Sequence, residues 1–308
     1  ATLGTMPLDR FDEAFAEHDK HLRRLLNATH VTMGSAFGPQ GRMSSHEVLS
    51  QLPKLIAAAD DFVVQRVKPG ALSGAPADRV TIIAGYPWFA DWGRDSMISL
   101  PGLLLSCGRM TEALQVLRTF AGTVKDGLIP NVFDDYTGAA QYNTVDAPLW
   151  FVHAACSYLQ ASGDQRAFAD ELLPAITQIL HAYADGTINN IGMDPEDHLI
   201  AAGDHTTQLT WMDAKRDGVV FTPRHGKPVE INALWHHALV TLADVAKPFD
   251  EELSFWSRQM APRVAASMLR FWNPARQCLH DVLHHRGEGP QGLMSEVRPN
   301  QLFAVSLG

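Results

Sequence analysis

AGYPWFADWGRDSMI, residues 84–98, is a loop that runs directly into a helix, and it sets how the rest of the chain is read. Trp88, Phe89 and Trp92 bring flat, amphipathic faces on which the C–H face of a pyranose can stack. Arg94 and Asp95 follow at once. A guanidinium is a planar fork of donors and a carboxylate only accepts, so the adjacent pair can grip neighbouring hydroxyls of one sugar.

Outward from this loop, helical periodicity recurs in both directions. Phe11, Phe15, Leu22, Leu25 and Leu26 mark one amphipathic helix, and Leu52, Ile56, Ala59 and Val63 mark another with Pro53 in its first turn. Further apolar stripes fall at Ala113–Leu117–Phe120–Val124, Leu149–Val152–Leu159, Phe168–Leu172–Ile176–Ile179–Tyr183, Leu234–Ala238–Leu242–Val245 and Trp256–Met260–Val264–Met268. The β-rich run Val80 to Ile83 is too short to build a sheet. Helix, short loop, helix, long loop predicts an all-α toroid of helical hairpins, with inner and outer helices alternating and the long loops gathered at one mouth. Residues 30–50, which include MGSAFGPQGRMSS, read as a linker between an amino-terminal helix and this toroid.

The 308 residues carry a formal charge of −9, which argues against a nucleic-acid partner and suits a neutral substrate. Hydrophobic residues make up 46% with no run long enough to span a bilayer, so no membrane partner is expected. The opening ATLGTMPLDRF lacks the apolar stretch of a secretory signal, and the cytoplasm is the expected location. Cys107, Cys156 and Cys278 are widely spaced and suit packed, reduced thiols. The histidine pairs His236-His237 and His284-His285 lack the i, i+4 spacing of a helical zinc site. No P-loop, dinucleotide fingerprint or nucleophile elbow is present, and neither metal nor cofactor is expected.

The remaining polar clusters fall in the long loops. GLIPNVFDD (127–135) offers Asn131, Asp134 and Asp135. NTVDAPLW (143–150) offers Asp146, which suits a helix N-cap as well as a ligand role. QLTWMDAKRDG (208–218) holds the best acid/base candidate, Asp213, behind an apolar wall of Trp211 and Met212 that favours a protonated carboxyl. Glu230, in GKPVEINALW, begins an amphipathic helix, where it can bind substrate or complement the helix dipole. RPNQLFAVSL (298–307) supplies Arg298, Asn300 and Gln301 at another loop-to-helix junction.

Taken in order, AGYPWFADWGRDSMISLPGL, GLIPNVFDD, YNTVDAPLW, TWMDA, PVEINALW and RPNQLFAVSL closely resemble the amylo-α-1,6-glucosidase module of glycogen debranching enzymes, over roughly residues 45–308. The resemblance implies an (α/α)6 barrel that removes single α-1,6-linked glucosyl branches from glycogen or limit dextrin by hydrolysis with inversion. A similar W-x-R-D loop in related barrel glycosidases, glucoamylase included, holds the non-reducing glucose, a role that passes to Trp92, Arg94 and Asp95. Asp213 then corresponds to the general acid with Trp211 beside it, and Arg298 to an arginine of the same subsite. Trp88, Asn131, Asp146, Glu230, Asn300 and Gln301 complete the expected glucan-binding set. Family members continue beyond RPNQLFAVSL into the region expected to hold the catalytic base, so the base is expected outside these residues, with Glu230 or Asp135 the next candidates. On this reading residues 1–44 are a linking helix and linker, and 45–308 are most of a barrel whose last helices are missing. Two other functions fit the same residues: a glucan-binding module without catalysis, and a related barrel glycosidase acting on another small glucoside.

Overall fold

The structure, a computed structural model, describes residues 8–37, 46–66, 79–85, 89, 91–134, 139–284 and 296–307. Helices α1 (Leu8–Phe37) and α2 (His46–Asp61) form an amino-terminal hairpin closed by its own apolar seam of Leu25, Leu52 and Ile56, flanked by Leu22 and Leu26. Both ends of the expected linker are therefore helical, since α1 runs on to Phe37 and α2 already begins at His46. Pro53 lies inside α2 and not in its first turn. Val63 leaves the helical stripe for strand β1 (Val63–Arg66), which pairs antiparallel with β2 (Arg79–Ile82), the one β-rich run the sequence displays.

The main body follows as helices joined by loops with short ribbons. In chain order these are α3 (Gly93–Leu100), continued by a wide π turn at Pro101–Leu105; α4 (Met110–Ala121); β3 (Val132–Phe133) paired with β4 (Ala140–Gln141); and α5 (Ala147–Ser162). Next come α6 (Gln165–Ala167), a second π turn at Phe168–Leu172 and α7 (Leu173–Asp185). The ribbons β5 (Gly192–Met193) with β6 (Ile200–Ala201) and β7 (Lys215–Arg216) with β8 (Val219–Val220) precede β9 (Lys227–Pro228), which leads into α8 (Val229–Val245) and α9 (Glu251–Met268). Strand β10 (Trp272–Asn273) pairs with β11 (Cys278–Leu279), β12 (Val282–Leu283) pairs back with β9, and α10 (Phe303–Ser306) closes the described chain.

The packing order makes this an all-α arc of hairpins. Inner helices pack side by side, α3 on α5, α5 on α8 and α8 on α10, while α4 and α7 cover α5 from outside and α9 covers α8. An inner helix covered on both sides must be apolar or internally satisfied nearly all round. Accordingly α8 is buried at every position from Val229 to Trp235. The largest side chains removed from water, Trp235, Tyr183, Phe120, Phe151 and Phe168, sit between inner and outer layers, each contributing roughly 1.5–3 kcal/mol. Tyr183 stacks on Trp235, whose other neighbour is Trp256 of α9.

Alternation has a consequence for the site. Because an outer helix separates successive inner ones, α3, α5, α8 and α10 run the same way, and the loops that feed their N-termini meet at one end. Gly93, Asp146, Glu230 and Pro299 all stand at those junctions. Among the described residues no helix is long and apolar enough to cross a membrane. Cys107 and Cys156 are buried free thiols and Cys278 is half-buried; burial pushes the Cys156 thiol up to about 12.

Candidate active site

At this shared mouth lies a cavity of ≈ 530 Å³, within the usual range for small-ligand sites. Arg94, Asp95, Asp146, Trp211, Glu230 and Asn300 supply its polar lining, and Trp150, Leu234 and Phe303 much of its apolar wall.

The Arg94 side begins with a glycine. Gly93 donates its N–H to the backbone carbonyl of Asn131 at 2.8 Å. A Cβ at residue 93 would stand 2.1 Å from the carbonyl oxygen of Pro130, so only glycine permits this approach. With the loop pinned there, α3 points Arg94 inward. Its Nε donates to Asp146 Oδ2 at 2.5 Å and its Nη1 to Asp213 Oδ2 at 3.3 Å. Asp146 stands at the N-cap position of α5 yet does not cap it. Thr144 takes over, accepting from the Ala147 N–H and donating to Asp146 Oδ1. One backbone link ties the segments that carry the two acids, the Val145 N–H donating to the carbonyl of Leu209, and the Tyr183 hydroxyl donates to the carbonyl of Val145. Burial opposes the charge of Arg94, and the carboxylates of Asp146 and Asp213 more than restore it, so the guanidinium stays above its ordinary value. Arg94 Nη2 is buried without a protein partner.

Asp95 differs from its neighbours. Burial pushes its carboxyl above the ordinary range, with Arg94 offsetting only part of the effect. Asp213 is partly buried, 28% exposed at the side chain, and reaches the cavity through Arg94. The neighbour the fold gives it is a cation, whereas its sequence context shows only an apolar wall.

Across the cavity a second network centres on a residue the motifs do not mark. Asp281, 1% exposed, accepts from Arg224 Nε at 2.7 Å, Arg224 Nη2 at 2.9 Å, Arg298 Nη1 at 2.8 Å and Asn300 Nδ2 at 2.7 Å. Arg224 also forks onto both oxygens of Glu230. Burial alone would raise the Asp281 carboxyl, but these donors hold it below the usual range; at Glu230 burial prevails over Arg224 and the carboxyl is pushed up. Asn300 spends its other end on Trp211, whose indole Nε1 donates to Asn300 Oδ1 at 2.8 Å. Arg224 and Asp281 lie outside the six motifs. The faint sequence signal was a charge standing shortly before each of the paired strands β9 and β12.

The expected residues thus divide. Arg94, Asp95, Asp146, Trp211, Glu230 and Asn300 line the cavity, and Asp213 touches it through Arg94. Arg298 and Gln301 stand behind: Arg298 binds Asp281, and Gln301 accepts from the Leu279 N–H and donates to the Arg298 carbonyl. Asn131 is 2% exposed and braces Gly93 instead of lining the cavity. Trp92 stands at the N-cap position of α3, bridges to Val132 and meets Phe89 edge to face at 6.4 Å, outside the cavity lining. Trp88 and Asp135 lie outside the described residues. Among the described residues no group of three or more His, Cys, Asp or Glu is placed to hold a metal ion.

The chain is 31% identical over 236 residues to the glycogen debranching enzyme of Saccharomyces cerevisiae, a match that takes in 58% of this chain and spans only 15% of the yeast protein. A rhamnosidase from Klebsiella oxytoca, solved with rhamnose bound, aligns with a TM-score of 0.48 and 17% identity over 70% of this chain and 37% of its own. The family model for amylo-α-1,6-glucosidase matches residues 57–308, and the chain belongs to that family.

Proposed function

We propose that this chain carries the glucose-binding half of a glycoside hydrolase site that removes single α-1,6-linked glucosyl branches from glycogen or limit dextrin with inversion. One observation carries the reading: a single buried guanidinium, Arg94, lines the cavity, joins Asp146 to Asp213 and leaves its buried Nη2 without a protein partner. In this reading the terminal glucosyl unit takes the unpartnered donor of Arg94 and the carboxylate of Asp95, with Trp211 as a stacking face. Asp213 gives its proton to the leaving glycosidic oxygen. Inversion needs a second carboxylate to activate water from the opposite face, ~6.5–9.5 Å from the acid. Glu230 and Asp146 line the cavity, but both oxygens of each are already engaged, by Arg224 at Glu230 and by Arg94 and Thr144 at Asp146, so Asp135 or a residue beyond this sequence is the better candidate for activating water.

That same pairing is what favours the second reading, a glucan-binding module without catalysis. Incubating the full-length protein with limit dextrin, and with maltose, trehalose and glucosylglycerate in parallel, separates the alternatives. Release of β-glucose from limit dextrin, followed by proton NMR before mutarotation, is the expected result. Binding of limit dextrin without release of glucose selects the module, and preference for one of the small glucosides selects another glycosidase specificity. Residence in the cytoplasm, where glycogen is stored, is part of the same proposal.

A further inference from the structure

Asp281 is buried to 1% and receives four hydrogen bonds from three different side chains, Arg224, Arg298 and Asn300. Two of these lead onward to the cavity. Asn300 is an amide with one donor end and one acceptor end, and free in solution it has no preferred orientation. Here the anion at Asp281 Oδ1 takes the donor end, which leaves Oδ1 of Asn300 as the acceptor facing the indole N–H of Trp211. The other route runs through Arg224, which shares its fork between Asp281 and Glu230 and so fixes a carboxylate that also lines the cavity. Trp211 itself is 45% exposed, too little covered for packing alone to set its ring.

We infer that Asp281 is a positioning residue: through Asn300 it orients the ring of Trp211 at the cavity mouth, and through Arg224 it holds Glu230. It rests on the glucosidase reading for its catalytic consequence but not for its structural content. A neutral isostere is the informative change. In Asp281→Asn the amide at residue 281 no longer selects between the two ends of Asn300, and Trp211 loses its fixed partner for part of the time.

The full-length protein labelled with 5-fluorotryptophan reads this directly by fluorine NMR, the Trp211 resonance being assigned by its loss in Trp211→Phe. In Asp281→Asn the Trp211 resonance is expected to move or broaden while those of the core residues Trp235 and Trp256 stay in place. An unmoved Trp211 resonance overturns the inference. Where the parent protein releases glucose from limit dextrin, Asp281→Asn should lower kcat/KM ~30-fold and Trp211→Phe ~10-fold, with the double variant within ~3-fold of the worse single, because residues acting as a unit are not additive. Losses that multiply to ~300-fold overturn it equally. Should Asp281→Asn fail to fold, Asp281→Glu keeps a charge for Arg224 while displacing the oxygen that Asn300 meets, and the Trp211 resonance must again move. A parent protein that releases no glucose removes the proposed function, and the fluorine spectra still decide the role of Asp281.

Discussion

Arg94 Nε and Asp146 Oδ2 meet at 2.5 Å with their side chains only 9% and 3% exposed, although 52 residues separate them in sequence. Removing one partner of such a pair leaves the other as a buried, uncompensated charge. Asp146→Ala is therefore expected to cost ~3–5 kcal/mol of folding stability, which urea unfolding measures. A loss under ~1 kcal/mol would mean that Asp213 alone satisfies the guanidinium.

Asp95→Asn is expected to behave in the opposite way. Its carboxyl is raised by burial, so the fold gains nothing from its charge, and the isosteric amide should leave the melting temperature unchanged or slightly higher. A charged hydrogen bond to a sugar hydroxyl in a desolvated site is worth ~2–4 kcal/mol, so kcat/KM on limit dextrin should fall about thirty- to a thousandfold. Stability that drops along with activity would mark Asp95 as structural.

For Asp213 the discriminating quantity is the leaving group. Asp213→Asn should abolish hydrolysis of a 1,6-linked glucoside and spare much of the rate on α-glucosyl fluoride, whose leaving group needs little protonation. Parallel losses on both substrates assign the proton to another residue.

Gly93→Ala would drive a Cβ to 2.1 Å from the carbonyl oxygen of Pro130, a backbone atom that cannot turn aside. The expected cost is ~2–4 kcal/mol, with kcat/KM falling further than stability explains because Arg94 follows directly on residue 93. Thermal unfolding and kinetics on the same preparation test both parts.

The histidines of the inner helices give a pH dependence of defined sign. His237 donates from Nδ1 to the carbonyl of Leu307 at 3.2 Å, and its Nε2 accepts from His153 Nδ1 at 3.0 Å. Burial holds both rings below the ordinary value of 6.5. The unfolded chain therefore takes up protons first as pH falls, so this stability is fully present above about pH 6.5 and is lost as pH drops through the folded values. His236, His280 and His284 are lowered by burial as well, so His153→Gln/His237→Gln should flatten the acid limb of a melting-temperature profile without abolishing it. An unchanged slope would place the titration elsewhere.

Helix periodicity alone determined that the body is all-α, because each apolar stripe has to be buried against a neighbour and the stripes at residues 113–120, 149–159, 172–183, 234–245 and 256–264 all found one. The loop chemistry was equally legible: the residue types of WGRD, VDAPLW, TWMD, VEIN and RPNQ announce donors, acceptors and ring faces wherever the chain takes them. Tertiary structure decided which of them face the cavity. Asn131, Gln301, Arg298 and Trp92 have the chemistry of ligands, but the backbone turns them to bracing, whereas Arg224 and Asp281 stand outside every motif and meet only when β9 and β12 pair. Local sequence could not show this. An ion pair between residues 57 positions apart is fixed by strand pairing and burial, and neither has a signature in the residues between them.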